Sequence, residues 1–212
     1  GAGAHAVEVL AFGNGVASRP FAVTLEIATE LPVALDEAPR GEVHRNDVAV
    51  LVGDGVITAT EGELTARFLG TFTRDDGGGA GAVDVTLPVA PLERVDRGRG
   101  VVVLTTELGG LWAGTFEGTV QLRSRLRSGA SSESRATATS LHFNPPDLYA
   151  LDPAEATVGQ VLRVRGAGFL GGPDRPDEAT LIRLEGVFTP ADGAPEGFGP
   201  RELVPRYVSG AE

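Results

Sequence analysis

Cysteine, methionine and lysine are all missing from the 212 residues, and each absence excludes something. Without Cys there is no disulfide framework, no thiolate metal site and no thiol nucleophile, so the core alone must hold the fold. Without Met the chain is expected to be a processed product, a recombinantly expressed piece or a segment of something longer. Without Lys every basic side chain is Arg. Long apolar runs are missing as well. None approaches the ~18 residues that a membrane-crossing helix needs, so no membrane span is expected. The opening "GAGAHAVEVL" carries no secretory signal pattern, its apolar part being short and broken by His5 and Glu8. Positive charge is scarce: 29 acidic side chains stand against 18 basic ones, for a net charge of −11. Such a surface repels phosphate backbones, and no nucleic-acid partner is expected.

What is present is period-2 alternation. Phe21, Val23, Leu25 and Ile27 alternate with Ala22, Thr24 and Glu26, which puts the large apolar groups on one face of a half-buried strand. The same pattern predicts strands over Ala6–Phe12, Asp47–Ile57, Glu63–Thr73, Ala82–Val89, Gly100–Thr106, Thr115–Leu126, Arg135–Phe143, Gln160–Arg165, Thr180–Thr189 and Glu202–Tyr207. Turn pairs such as Asp54-Gly55, Asp76-Gly77 and Asp192-Gly193 lie between them. A 3.6-residue stripe with caps is absent, and only Asp152–Val158 suits a helical turn. Short, regularly spaced strands predict an all-β chain of antiparallel sandwiches.

The chain also repeats itself. "GTFTRDDG" at Gly70–Gly77 returns as "GVFTPADG" at Gly186–Gly193, a shift of 116 residues (186 − 70). One gapless register recovers Leu10/Leu126, Gly13/Gly129, Ser18/Ser134, Ala22/Ala138 and Leu25/Leu141, and "ALDEA" at 34–38 against "ALDPA" at 150–154. A local three-residue slip aligns Gly53 and Gly55 with Gly166 and Gly168, after which Arg67/Arg183 and Leu87/Leu203 restore the first shift. A fixed register over most of a chain is the mark of tandem modules.

Beyond the proline-rich junction Asn144–Pro153, the stretch "LYALDPAEATVGQVLRVRGAGFLGG" carries Pro153, Gly159, the strand Val161–Val164 and a closing "GAGF" at Gly166–Phe169. These features resemble the opening of an IPT/TIG domain, the immunoglobulin-like module of many bacterial surface and secreted proteins. The earlier copy has Glu37 in place of Pro153 and Val56 in place of the Phe. The resemblance implies tandem immunoglobulin-like β-sandwich modules with a period of about 116 residues. Residues 1–30 are then the terminal strands of a preceding module, 33–143 a complete module, and 147–212 the opening strands of a following, incomplete one.

No motif assigns chemistry. Asp75, Asp76 and Asp84 could give oxygen ligands to Ca²⁺, but their spacing fits no calcium loop and a solvated hairpin tip explains them better. His5, His44 and His142 are not at metal-ligand spacing. There is no Gly-x-Ser-x-Gly elbow, and "RSGASSESR" at Arg127–Arg135 reads as a loop. Trp112 could stack on a sugar, although a core or inter-module packing role suits a lone Trp better. The chain is therefore expected to need no cofactor and no metal, and not to be an enzyme. The leading expectation is a structural repeat protein of an extracellular fibre, stalk or cell-surface filament, with copies of itself as head-to-tail partners. Its assembly strands would carry Phe21, Val23, Leu25 and Ile27. The alternative is an accessory or carbohydrate-binding module of a larger secreted enzyme, with glycans as partners.

Overall fold

A computed structural model describes residues 3–9, 12, 13, 16, 17, 21–27, 31–93, 97–153, 160–171, 179–189 and 193–206. The chain is all-β. In order, the strands are β1 (Gly3–Val9), β2 (Phe12–Gly13), β3 (Val16–Ala17), β4 (Phe21–Ile27), β5 (Ala34–Glu37), β6 (Arg40–Val43), β7 (Val48–Asp54), β8 (Gly62–Arg74) and β9 (Ala80–Pro91). They continue as β10 (Arg99–Val103), β11 (Gly114–Leu126), β12 (Ser131–Glu133), β13 (Thr137–Phe143), β14 (Asp147–Asp152), β15 (Arg163–Ala167), β16 (Ile182–Phe188) and β17 (Glu196–Leu203). Among the described residues the only helical turn is a 3-10 turn at Thr106–Leu108.

That turn replaces the end of the strand expected over Gly100–Thr106. Thr105 accepts a hydrogen bond from the Glu107 amide at its start, and Gly109 closes it at φ 149°, so the local caps override the alternation. The helical turn expected over Asp152–Val158 is not seen at Asp152, which ends β14; residues 154–158 lie outside the described ones. β5, β6 and β14 had no clear sequence signal. They are short, mostly exposed strands, and edge positions impose little alternation.

The large sheet runs β5-β7-β10-β9-β8-β11-β13-β6, with β12 also on β11. Every pairing is antiparallel except β13 with β6. Two features fold this path back on itself. β5 and β6 sit at opposite ends of it, yet only Ala38 and Pro39 separate them. β9 meanwhile pairs with β8 through Ala80–Pro88 and with β10 through Val89–Pro91, passing from one half of the sheet to the other. The halves therefore face each other in a sandwich-like arrangement.

Long strands fill the space between. β8 and β11 pair over their whole length, Gly62–Arg74 against Gly114–Leu126. Their inward residues Leu64, Ala66, Phe68, Phe72, Phe116, Val120 and Leu122 are all buried in one cluster with Leu51, Ile57, Val102, Leu104, Leu141 and Phe143. Phe68 meets Phe116 edge-on at 6.0 Å between ring centroids. Each such side chain contributes about 1.5–3 kcal/mol on leaving water, and without disulfides this burial is the main stabilising term.

The turn between β6 and β7 holds a buried cation. Arg45, 5% exposed, lies 3.7 Å above the Phe143 ring and donates from Nη2 to the Trp112 carbonyl at 3.0 Å. Among the described residues its Nε and Nη1 have no hydrogen-bond partner, and burial lowers its pKa to about 10.

Candidate assembly surface

Outside the large sheet the chain forms hairpins. β1 pairs with β4, β14 with β15 and β16 with β17, each as a two-stranded sheet. Such hairpins are marginal alone. Among the described residues β1 and β16 each have one strand partner, so each keeps a row of unpaired backbone groups, the usual template for adding another strand. The segment after β15 meets the turn between β6 and β7: Asn46 donates from Nδ2 to the Phe169 carbonyl at 3.1 Å.

The backbone ladders of these hairpins copy those of the large sheet. Ile182 pairs with Leu203 as Ala66 pairs with Leu87, a shift of 116 on both strands (182 − 66; 203 − 87), and the next two pairs follow suit. Leu148 pairs with Gly166 and a bulge follows, as Leu35 pairs with Gly53 before its own bulge, a shift of 113 on both strands (148 − 35; 166 − 53). Gly55 and Gly168 share this shift and a left-handed φ, 73° and 72°. There a side chain would be strained, and Gly is the residue that reaches that conformation freely.

At the N-terminal hairpin the ladder differs from the gapless sequence register. Gly3 pairs with Ile27 as Gly114 pairs with Phe143, which is a shift of 111 on β1 (114 − 3) but 116 on β4 (143 − 27). The match persists into the short strands, Phe12↔Ala17 standing for Arg123↔Glu133 and Gly13↔Val16 for Ser124↔Ser132. The two shifts differ by five residues because the connection between paired strands is that much shorter: Gly13 and Val16 enclose two residues, whereas Ser124 and Ser132 enclose seven. Likewise the "ALDEA" and "ALDPA" segments are three residues out of step with the β5–β7 and β14–β15 ladders. Register follows the hydrophobic pattern and the geometry of the turn, so a short run of identical residues does not fix it.

Burial departs from this equivalence in one direction. Phe68 is fully buried and its ladder counterpart Leu184 is 37% exposed; Leu87 is 2% exposed and Leu203 is 48%. Leu35 and Leu148 differ in the same way. The C-terminal strands thus present core-type side chains to solvent at positions that the large sheet covers. The residues expected to assemble, Phe21, Val23, Leu25 and Ile27, lie on β4 at the ladder positions of Thr137, Thr139, Leu141 and Phe143 (each 116 higher), of which the last three are buried.

The other sequence candidates do not converge. Asp76 accepts a bidentate pair from Arg74, Asp84 one from Arg67 at 2.7 and 2.6 Å, and Asp75 faces His142 Nε2 at 3.7 Å. The guanidinium hydrogen bonds hold the Asp76 and Asp84 carboxyls below their ordinary range. His44 contacts Asp47, and His5 sits on β1 opposite Leu25. Among the described residues no three His or acidic side chains form a metal-binding group. Trp112 is not a core residue: it is 52% exposed, with the Arg74 guanidinium 3.5 Å over its ring. Sequence reasoning also missed a polar concavity on β8, β9, β11 and β12, lined by Glu63, Arg67, Arg123, Arg125 and Glu133 among others. Alternation does signal its outward residues, but nothing in the sequence joins the four strands. Neither a family model nor a curated protein matches the chain.

Proposed function

We propose that this is a structural repeat protein, built from tandem immunoglobulin-like modules and assembled head to tail into an extracellular fibre, stalk or surface filament. The observation that carries the reading is a combination: peripheral hairpins have ladders like those of the large sheet, and on β14, β16 and β17 apolar residues stand in solvent at positions that the large sheet buries. Such strands are stabilised by the partners their counterparts have, supplied by a neighbouring subunit or by a neighbouring repeat of one covalent array.

The strand order supports the immunoglobulin-like assignment. A first strand that splits, β5 pairing antiparallel to β7 and β6 parallel to β13, and a strand β9 shared between both halves fit that sandwich. The extracellular setting follows from the IPT/TIG resemblance. The accessory-module alternative draws on the exposed Trp112, but Arg74 already occupies one face of that ring.

The test is the covalent mass of the native material together with its behaviour in denaturant. Subunits near 21.9 kDa that associate with rising concentration and separate on unfolding support head-to-tail assembly. A single much larger mass supports the array. A monodisperse monomer at every concentration, with β16–β17 amides as protected as those of β8, overturns both.

A further inference from the structure

We infer that the free edge of β16 accepts β1 of a second copy of the chain, in an antiparallel ladder setting Val9 opposite Leu184, Glu8 opposite Glu185 and Ala6 opposite Val187. This rests on the head-to-tail reading and adds its register. The template is internal. β11 lies on β8 with Val120 opposite Phe68 and Thr119 opposite Leu69. β1 copies β11 at a shift of 111 (120 − 9) and β16 copies β8 at a shift of 116 (184 − 68), so the pairing of one couple prescribes that of the other.

The gapless sequence register prescribes a different ladder. It puts Ala4 in the position of Val120 (4 + 116), hence opposite Leu184. The two ladders differ by an odd number of residues, five, which exchanges the core-facing and outward sets of β1. In the ladder inferred here Val9 takes the place of Val120 and Leu184 that of Phe68, both fully buried in the large sheet.

Two consequences follow. Glu8 and Glu185 take the outward positions of Thr119 and Leu69, and like charges directly opposite weaken a strand pair. Arg183 Nη2, 3.1 Å from Glu185 Oε2, offsets part of that. Val7 stands opposite Gly186 where the large sheet has Gly118 against Gly70, so the ladder must widen there. β16 already breaks its register with β17 between Leu184 and Gly186.

The cysteine-free background allows a direct test on full-length chains. Val9→Cys chains are mixed with Leu184→Cys chains and oxidised, alongside Ala4→Cys mixed with Leu184→Cys, while sedimentation follows association. The Val9/Leu184 mixture should form covalent heterodimers about tenfold faster than the Ala4/Leu184 mixture, since thiols displaced five positions along a strand are beyond disulfide reach. Faster crosslinking through Ala4, or none in either mixture while sedimentation shows assembly, overturns the register and leaves head-to-tail association standing. No association at all overturns both. A surface variant gives a readout independent of oxidation: Glu8→Arg should tighten association about two- to fivefold, and adding Glu185→Arg should abolish that gain. An unchanged affinity in Glu8→Arg counts against the Glu8–Glu185 pairing.

Discussion

Arg45 is the residue at which the fold departs furthest from an apolar interior. Its guanidinium is compensated by one carbonyl and the Phe143 face, while two of its nitrogens have no partner among the described residues. An incompletely paired buried cation is seldom a net stabiliser. Arg45→Met should therefore leave stability within about 1 kcal/mol of the parent at pH 8, because an apolar stem of similar volume avoids the desolvation cost. Arg45→Ala should lose about 2–4 kcal/mol to the cavity beside Phe143. Urea unfolding of both variants measures this. The sign of the pH dependence follows from the lowered pKa. Above about 10, the pKa of the folded chain, and below the higher ordinary value of the unfolded one, the unfolded state binds more protons, so stability rises with pH in that window. The parent should accordingly gain on Arg45→Met between pH 9 and 11. A constant gap would show that Arg45 is not desolvated.

At the scale of strands, β8 and β16 have equivalent ladders over Ala66–Phe68 and Ile182–Leu184 and unequal surroundings. β8 is flanked by β9 and β11, and β16 by β17 alone among the described residues. The same substitution should then have different effects in the two strands. Phe68→Ala removes a fully buried ring and should cost about 3–5 kcal/mol. Leu184→Ala in dilute protein should change unfolding by less than about 0.5 kcal/mol, as surface substitutions do. At concentrations where chains associate, Leu184→Ala should weaken that association. Equal costs in dilute solution would mean that β16 is covered within a single chain. The hairpins also show why element boundaries were harder to read than elements. The long strands announce themselves through alternating Phe, Leu and Val; β5 and β6, separated by Ala38-Pro39, are recognisable as strands only through their partners β7 and β13.

For the molecule as a whole, the core cluster draws all its residues from 33–143, and both ends of the sheet path meet within that span. Residues 31–144 produced alone should unfold in one cooperative transition whose midpoint lies within a few degrees of the main transition of the full chain, as a domain with its own core does. Calorimetry would show it. A broad transition, or a midpoint more than about 10 °C lower, would mean that the hairpins contribute to this core. The net charge of −11 favours solubility and acts against close packing of copies, so association should strengthen with added salt.

The sequence by itself determined the all-β class, the placing of the long strands and the repetition of "GTFTRDDG" as "GVFTPADG". Each of these is local: alternation depends on the two faces of a strand, and Asp-Gly turns depend on which residues tolerate positive φ. Pairing is not local. That β1 matches β11 at a shift of 111 while β4 matches β13 at 116 could not be read from a gapless alignment, because strands are held in register by backbone hydrogen bonds that carry no side-chain label. Nor could the sequence say that Leu184 is exposed where Phe68 is buried. Both are apolar residues in alternating strands, and which of them is covered depends on the strand lying beside it.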